Sequence, residues 1–88
     1  MYHLTNIIIL MLYDAEIINK KICLKIKMER TKRGWSQEKL SEYCDMSKNA
    51  IGNIEQCKNT PKICTLLKIA EAFGITVSEL TDISKVDL

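Results

Sequence analysis

Within residues 36–55, Ser36 and Ser47 each stand at the head of a short helical pattern, and the chain between the two patterns is only a few residues long. A serine in that place accepts a hydrogen bond from one of the first N–H groups of a helix, which have no partner inside the helix itself. After Ser36 the apolar residues Leu40 and Cys44 recur at helical spacing, and after Ser47 so do Ile51 and Ile54. Two capped helices, each with one buried face and a bend of about four residues between them, have the spacing of a helix-turn-helix. The rest of the chain must therefore supply helices that cover the apolar faces of this pair.

Its composition permits that. Eighty-eight residues, 47% hydrophobic and 27% charged, with one proline and three glycines, describe a globular chain with room for long helices. A single all-α domain is expected. A chain of this length buries only about 60 to 65% of its unfolded surface, so nearly every apolar periodic position is needed for the core.

The formal net charge of +2 is unevenly spread. Residues 18–34 carry Lys20, Lys21, Lys25, Lys27, Arg30, Lys32 and Arg33 against Glu29 alone, a local net of +6. Residues 46–62 carry Lys48, Lys58 and Lys62 against Glu55, a net of +2, and the remaining three segments are each −2. Two basic stretches on an acidic background suit either a polyanion or a solvated lysine face.

Cys23, Cys44, Cys57 and Cys64 form no C-x-x-C pair, and His3 is the one imidazole. Metal-ligand spacing is lacking, no metal or cofactor is expected, and the cysteines read as reduced thiols of a cytoplasmic protein, with Cys23, Cys44 and Cys64 at helical positions that suit a small apolar residue. No nucleophile and base stand at a recognisable spacing, and there is no Gly-rich phosphate loop, so an enzyme is not expected.

In chain order, residues 1–13 read as an apolar arm. The run Ile7 to Tyr13 is seven residues long, far short of the ~20 that cross a bilayer, and it lacks the basic flank and cleavage site of a signal peptide. Its β-branched residues suit a strand paired with the same strand of a second subunit; an arm packed against the helices, or partly disordered, is the other reading. The domain proper is expected over residues 14–83. Asp14 caps a helix that runs toward Arg33 with Ile18, Ile22 and Ile26 on one face, and Gly34 stops it. Trp35 then packs into the core. A second helix spans about Gln37 to Cys44, and a third runs from after Ser47 to Gln56 or Cys57. Thr60-Pro61 restarts a helix that buries Ile63, Leu66, Leu67, Ala70 and Phe73, ended by Gly74. Thr76-Val77-Ser78-Glu79 is a capping box, flanked by Ile75 and Leu80, that opens a fifth helix. Val77, Leu80 and Ile83 seal the core, and residues 84–88 form a short tail.

From about Ile22 to Ile83 the chain resembles the lambda-repressor-like helix-turn-helix family. The resemblance rests on Ile26 and Arg30, Gly34, Ser36 to Leu40, Ser47 with Ile51, Ile54-Glu55, Pro61, Leu66 to Ala70, Phe73-Gly74-Ile75 and Leu80. It implies a compact five-helix domain that binds double-stranded DNA with its third helix in the major groove. On that reading Lys48, Asn49, Ala50 and Asn53 face base edges. An asparagine suits adenine N6 and N7, Lys48 suits guanine or a phosphate, and Ala50 suits a thymine methyl. Gln37, Ser47, Lys32, Arg33, Lys58 and Lys62 would contact phosphates, and Arg30 and Glu55 would form a partly buried ion pair. The chain departs from the family at Ser41, where alanine is usual, and at Asp45 and Cys57, where glycine is usual and a positive φ is expected.

The function this implies is a sequence-specific transcriptional regulator, a repressor, binding a palindromic operator as a homodimer, with half-sites about 34 to 36 Å apart. An antitoxin-type interaction protein, which neutralises a partner and autoregulates its own operon, is the alternative. Its protein partner would be a toxin or an anti-repressor; no membrane is involved on either reading.

Overall fold

The structure, a computed structural model, describes residues 14–88. Five helices follow one another: α1 (Ala15–Lys32), α2 (Gln37–Cys44), α3 (Lys48–Glu55), α4 (Ile63–Phe73) and α5 (Val77–Leu80). The fold among these residues is all-α, as expected. The apolar arm at residues 1–13, with its dimerising strand, lies outside the described residues.

Most helix starts are fixed by local chemistry written in the sequence. The Asp14 carboxylate accepts from the N–H groups of Glu16 and Ile17, at 2.9 and 3.1 Å. Ser36 Oγ accepts from Lys39 N, and Ser47 Oγ from Ala50 N, both at 3.0 Å. Thr76 and Glu79 complete the capping box of α5, with Glu79 Oε1 accepting from Thr76 N at 3.2 Å and Thr76 Oγ1 from Glu79 N at 3.0 Å. Each cap of this kind contributes about 1 kcal/mol. Gly74 ends α4 with φ +72, a left-handed conformation that glycine adopts at little cost.

Every helix contributes one wholly buried aliphatic side chain: Ile26, Leu40, Ile51, Ile69 and Leu80. Burying each of these is worth about 1.5–3 kcal/mol. α2 packs against α3 and α4, α1 crosses behind α3, α4 and α5, and α4 leans on α5. At one edge the Trp35 ring stacks on Phe73, centroids 5.7 Å apart, and tilts against Tyr43 at 4.8 Å.

Three expectations about burial need correction. On α1 the buried stripe is Cys23, Ile26 and Glu29; Ile22 packs only partly against the core and Ile18 is half-buried. The helix is turned so that the i, i+3 row, not the i, i+4 row, faces inward. On α4, Ile63 and Leu67 are 69% and 53% exposed, and Ile69 takes the core position. The helix also starts later than expected. Leu66 N donates to Lys62 O as the first bond of the helix, so Pro61 precedes α4 instead of opening it, and lysine has no side-chain acceptor to cap with. The Cys64 thiol, expected at a position that suits a small apolar side chain, is exposed. Beyond α5, Val86 is 3% exposed, so the tail contributes to the core. None of the described helices is long and apolar enough to cross a membrane.

Candidate nucleic-acid interface

α3 is an eight-residue helix held from two sides. Ile51 and Ile54 pin its inner face to the core, and Ser47 fixes its amino end. The face turned away carries Lys48 and Asn49, both exposed, and Asn53, half-exposed. Asn49 and Asn53 are four residues apart, one above the other on the helix surface. Ala50 lies on the flank, where with Met46, Ile54, Lys58, Pro61 and Lys62 it lines an open groove of about 630 Å³.

The inner end of α3 is fixed by charge. Arg30 on α1 grips Glu55 edge to edge, Nε to Oε2 at 2.6 Å and Nη2 to Oε1 at 2.8 Å. A third donor of the same guanidinium, Nη1, reaches Trp35 O at 2.7 Å. The hydrogen bond with Glu55 holds the Arg30 pKa above its ordinary value, although burial opposes this. Gln37, in the first turn of α2, donates through Nε2 to Glu55 Oε1 at 3.2 Å. Its Oε1 lies over Gly52, where a Cβ would stand 3.5 Å away. Glu55 thus joins α1, α2 and α3, and Gln37 is oriented at the mouth of α2 beside the outer face of α3.

The two bends around α3 adopt the conformations expected of them. Asp45 is left-handed, φ 54 and ψ 47, with Met46 N donating to Ser41 O at 2.9 Å. Cys57 has φ 60. A non-glycine residue there carries about 1–2 kcal/mol of strain. Cys57 Sγ accepts from Asn19 Nδ2 at 3.2 Å.

The structure divides the basic residues more finely than a count of charges. Lys32 is exposed at the end of α1, and Lys48, Lys58 and Lys62 are exposed around α3. Arg33, by contrast, is turned inward: Nη1 donates to Glu29 O at 2.8 Å, Nη2 to Phe73 O at 3.0 Å, and the guanidinium lies 4.6 Å above the Phe73 ring. Lys25 donates to Glu79 O at 3.0 Å. Sequence reasoning passed over the residue that organises this group. Glu29, 8% exposed, has Lys25, Lys32 and Arg33 within 4.0 Å of its carboxylate. A lone acid in a run of seven bases was the available signal.

A pair of capped helices, braced through one carboxylate and presenting amides and lysines on a single outer face, is the geometry of a helix-turn-helix domain. The helix-turn-helix family model HTH_3 matches residues 26–80, and the chain belongs to that family. It is 38% identical over 53 residues to the HTH-type transcriptional regulator SutR of Escherichia coli, covering 60% of this chain and 30% of the relative. To PuuR of the same organism it is 38% identical over 50 residues, covering 57% and 27%. The chain thus spans less than a third of the length of these two curated relatives. An uncharacterised HTH-type regulator of Bacillus subtilis, YgzD, is 32% identical over 56 residues, 64% of this chain and 85% of the relative. An HTH_3 family transcriptional regulator from Vibrio cholerae superposes with a TM-score of 0.72 at 28% identity, covering 78% of this chain and 40% of that one.

Proposed function

We propose that this chain is a cytoplasmic repressor that binds a palindromic operator as a homodimer. One observation carries the reading: Glu55 ties α3 to Arg30 and to Gln37, so that the base-facing and phosphate-facing groups are held in register before DNA arrives. Asn49, Asn53, Lys48 and Ala50 read the major groove, the asparagines by paired hydrogen bonds to adenine and Ala50 against a thymine methyl. Gln37, Ser47, Lys32, Lys58 and Lys62 take phosphates and set affinity rather than sequence choice. The amino end of α4, which has no side-chain cap, adds N–H groups to the same positive rim. The Arg33 guanidinium is occupied inside the fold, which leaves Lys32 as the phosphate ligand at the end of α1.

A palindrome follows from two-fold symmetry, with half-sites about 34 to 36 Å apart. Selecting bound sites from a random DNA pool tests this directly. A consensus with inverted halves at that spacing is expected; an unsymmetrical consensus, or none, overturns it.

The exposed pair Ile63 and Leu67, one turn apart on α4, favours a second reading. An antitoxin-type protein would use such an apolar ridge to hold a toxin or an anti-repressor. Recovery of the chain from its native cells in a fixed ratio with one other polypeptide, lost on Leu67→Glu, would select it.

A further inference from the structure

At the end of α3 the left-handed backbone of Cys57 brings its sulfur against α1. There one carboxamide touches two thiols: Asn19 Nδ2 donates to Cys57 Sγ at 3.2 Å, and Cys23 Sγ donates to Asn19 Oδ1 at 3.9 Å. Burial first, and the neighbouring Cys57 thiol second, push Cys23 up to about 12. Cys23 is 1% exposed, whereas Cys57 is only partly covered, so a small solute reaches the pair from the Cys57 side.

We propose that Cys23 and Cys57 form an oxidation site, at which a hydroperoxide converts the two thiols into a disulfide that loosens the grip of α3 on DNA. The second half of this statement rests on the DNA-binding reading; the first does not. The Cys57 sulfur attacks one peroxide oxygen, the O–O bond breaks, and a sulfenic acid forms while the released hydroxide leaves as water with the thiol proton. The Cys23 sulfur then attacks the sulfenic sulfur. An S–S bond forms, the S–O bond breaks, and the expelled hydroxide takes the Cys23 proton. The two sulfurs together lose two electrons, and hydrogen peroxide is reduced to two waters.

The link acts on α3 through its end. A disulfide holds its sulfurs about 2.05 Å apart, closer than any non-bonded contact, so closing it takes the Cys57 sulfur from the Asn19 amide and ties the turn that carries it to α1. Cys57 N is bonded to Ile54 O at 3.0 Å, and Lys58 N to Asn53 O at 2.9 Å. Displacement of this turn therefore reaches Asn53 and Lys58 together.

The test uses the full chain, treated with hydrogen peroxide, blocked with N-ethylmaleimide and cut with trypsin without reductant. Peptides 22–25 and 49–58 are expected as one linked species. Affinity for a selected DNA site is expected to fall about fivefold or more and to return with dithiothreitol. Cys57→Gly suits the left-handed backbone; it is expected to bind as the reduced protein does and to ignore peroxide. Linkage through Cys44 or Cys64 instead, a Cys57 sulfinic acid with no link, or a linked protein that binds DNA as before would each overturn the proposal. If the reduced protein binds no DNA, the DNA reading fails, and the peptide map still decides whether the oxidation site exists.

Discussion

The Arg30 guanidinium and the Glu55 carboxylate lie edge to edge, with two bonds of 2.6 and 2.8 Å between side chains that are 11% and 2% exposed. Such a pair need not add much net stability over an apolar equivalent, because both charges lost their water on folding. Its removal from one side is another matter. Glu55→Ala leaves Arg30 buried without its counter-ion and Gln37 without its acceptor, and is expected to cost about 3 to 5 kcal/mol. Urea unfolding measures this, and DNA affinity should fall with it. An unchanged unfolding midpoint would show that the carboxylate is not the joint between the three helices.

Gly52 offers the opposite sign. It sits inside α3 with no positive φ, and an added Cβ would meet only Gln37 Oε1, at the ordinary contact distance of 3.5 Å. Glycine in a helix interior costs about 0.8–1 kcal/mol against alanine. Gly52→Ala is therefore expected to raise the melting temperature by about 4–8 °C. A lower melting temperature would mean that Gln37 cannot give way and that the α2–α3 contact is tighter than the distance suggests.

These two sites also show what could be read in the sequence. The caps at Asp14, Ser36, Ser47 and Thr76 were legible because capping is local, needing an acceptor only two or three residues from its donor. The left-handed turn at Asp45 follows from a residue type that tolerates it, whereas the turn at Cys57 and the pairing of Arg30 with Glu55 follow from resemblance. On α4 the apolar residues lie on more than one side of the helix, so the pattern does not choose between them: Leu66, Ala70 and Phe73 face the core as expected, Ile69 joins them, and Ile63 and Leu67 stay exposed. The fate of Arg33 was hidden for a different reason. Its partners, Glu29 O and Phe73 O, are backbone carbonyls, which no residue type announces.

Two buried thiols set a limit at alkaline pH. Burial pushes Cys44 up to about 11, with Lys68 pulling weakly the other way, and Cys23 up to about 12, from an ordinary value of 9.0. Above pH 9 the unfolded chain gives up these protons while the folded chain holds them. Their contribution is therefore complete below pH 9 and is lost as pH climbs toward 11 and 12. Each thiol takes up to about 1.4 kcal/mol per pH unit in that window. In reducing buffer, urea midpoints taken across this range should fall less steeply for Cys44→Ala than for the parent. Parallel curves would mean that the buried Cys44 thiol carries none of the loss.

The division of labour around α3 gives the most direct check on function, because phosphate and base contacts leave different signatures. Each neutralised phosphate contributes about −0.9 to the slope of log affinity against log salt, so a dimer meeting about 6 to 8 phosphates is expected to show roughly −5 to −7. Lys32 is exposed at the end of α1, loosely held 4.0 Å from Glu29, so Lys32→Ala should flatten that slope by about 2 in a dimer and weaken all sequences alike. Asn49 carries no charge. Asn49→Ala should leave the slope intact and cost about 1–3 kcal/mol per half-site on the preferred sequence alone, so that preferred and scrambled sites converge. Titrations of both variants against both sites over a range of salt separate the two effects. If Asn49→Ala weakened every sequence equally, the outer face of α3 would be positioning the protein on DNA and the reading of sequence would have to come from elsewhere.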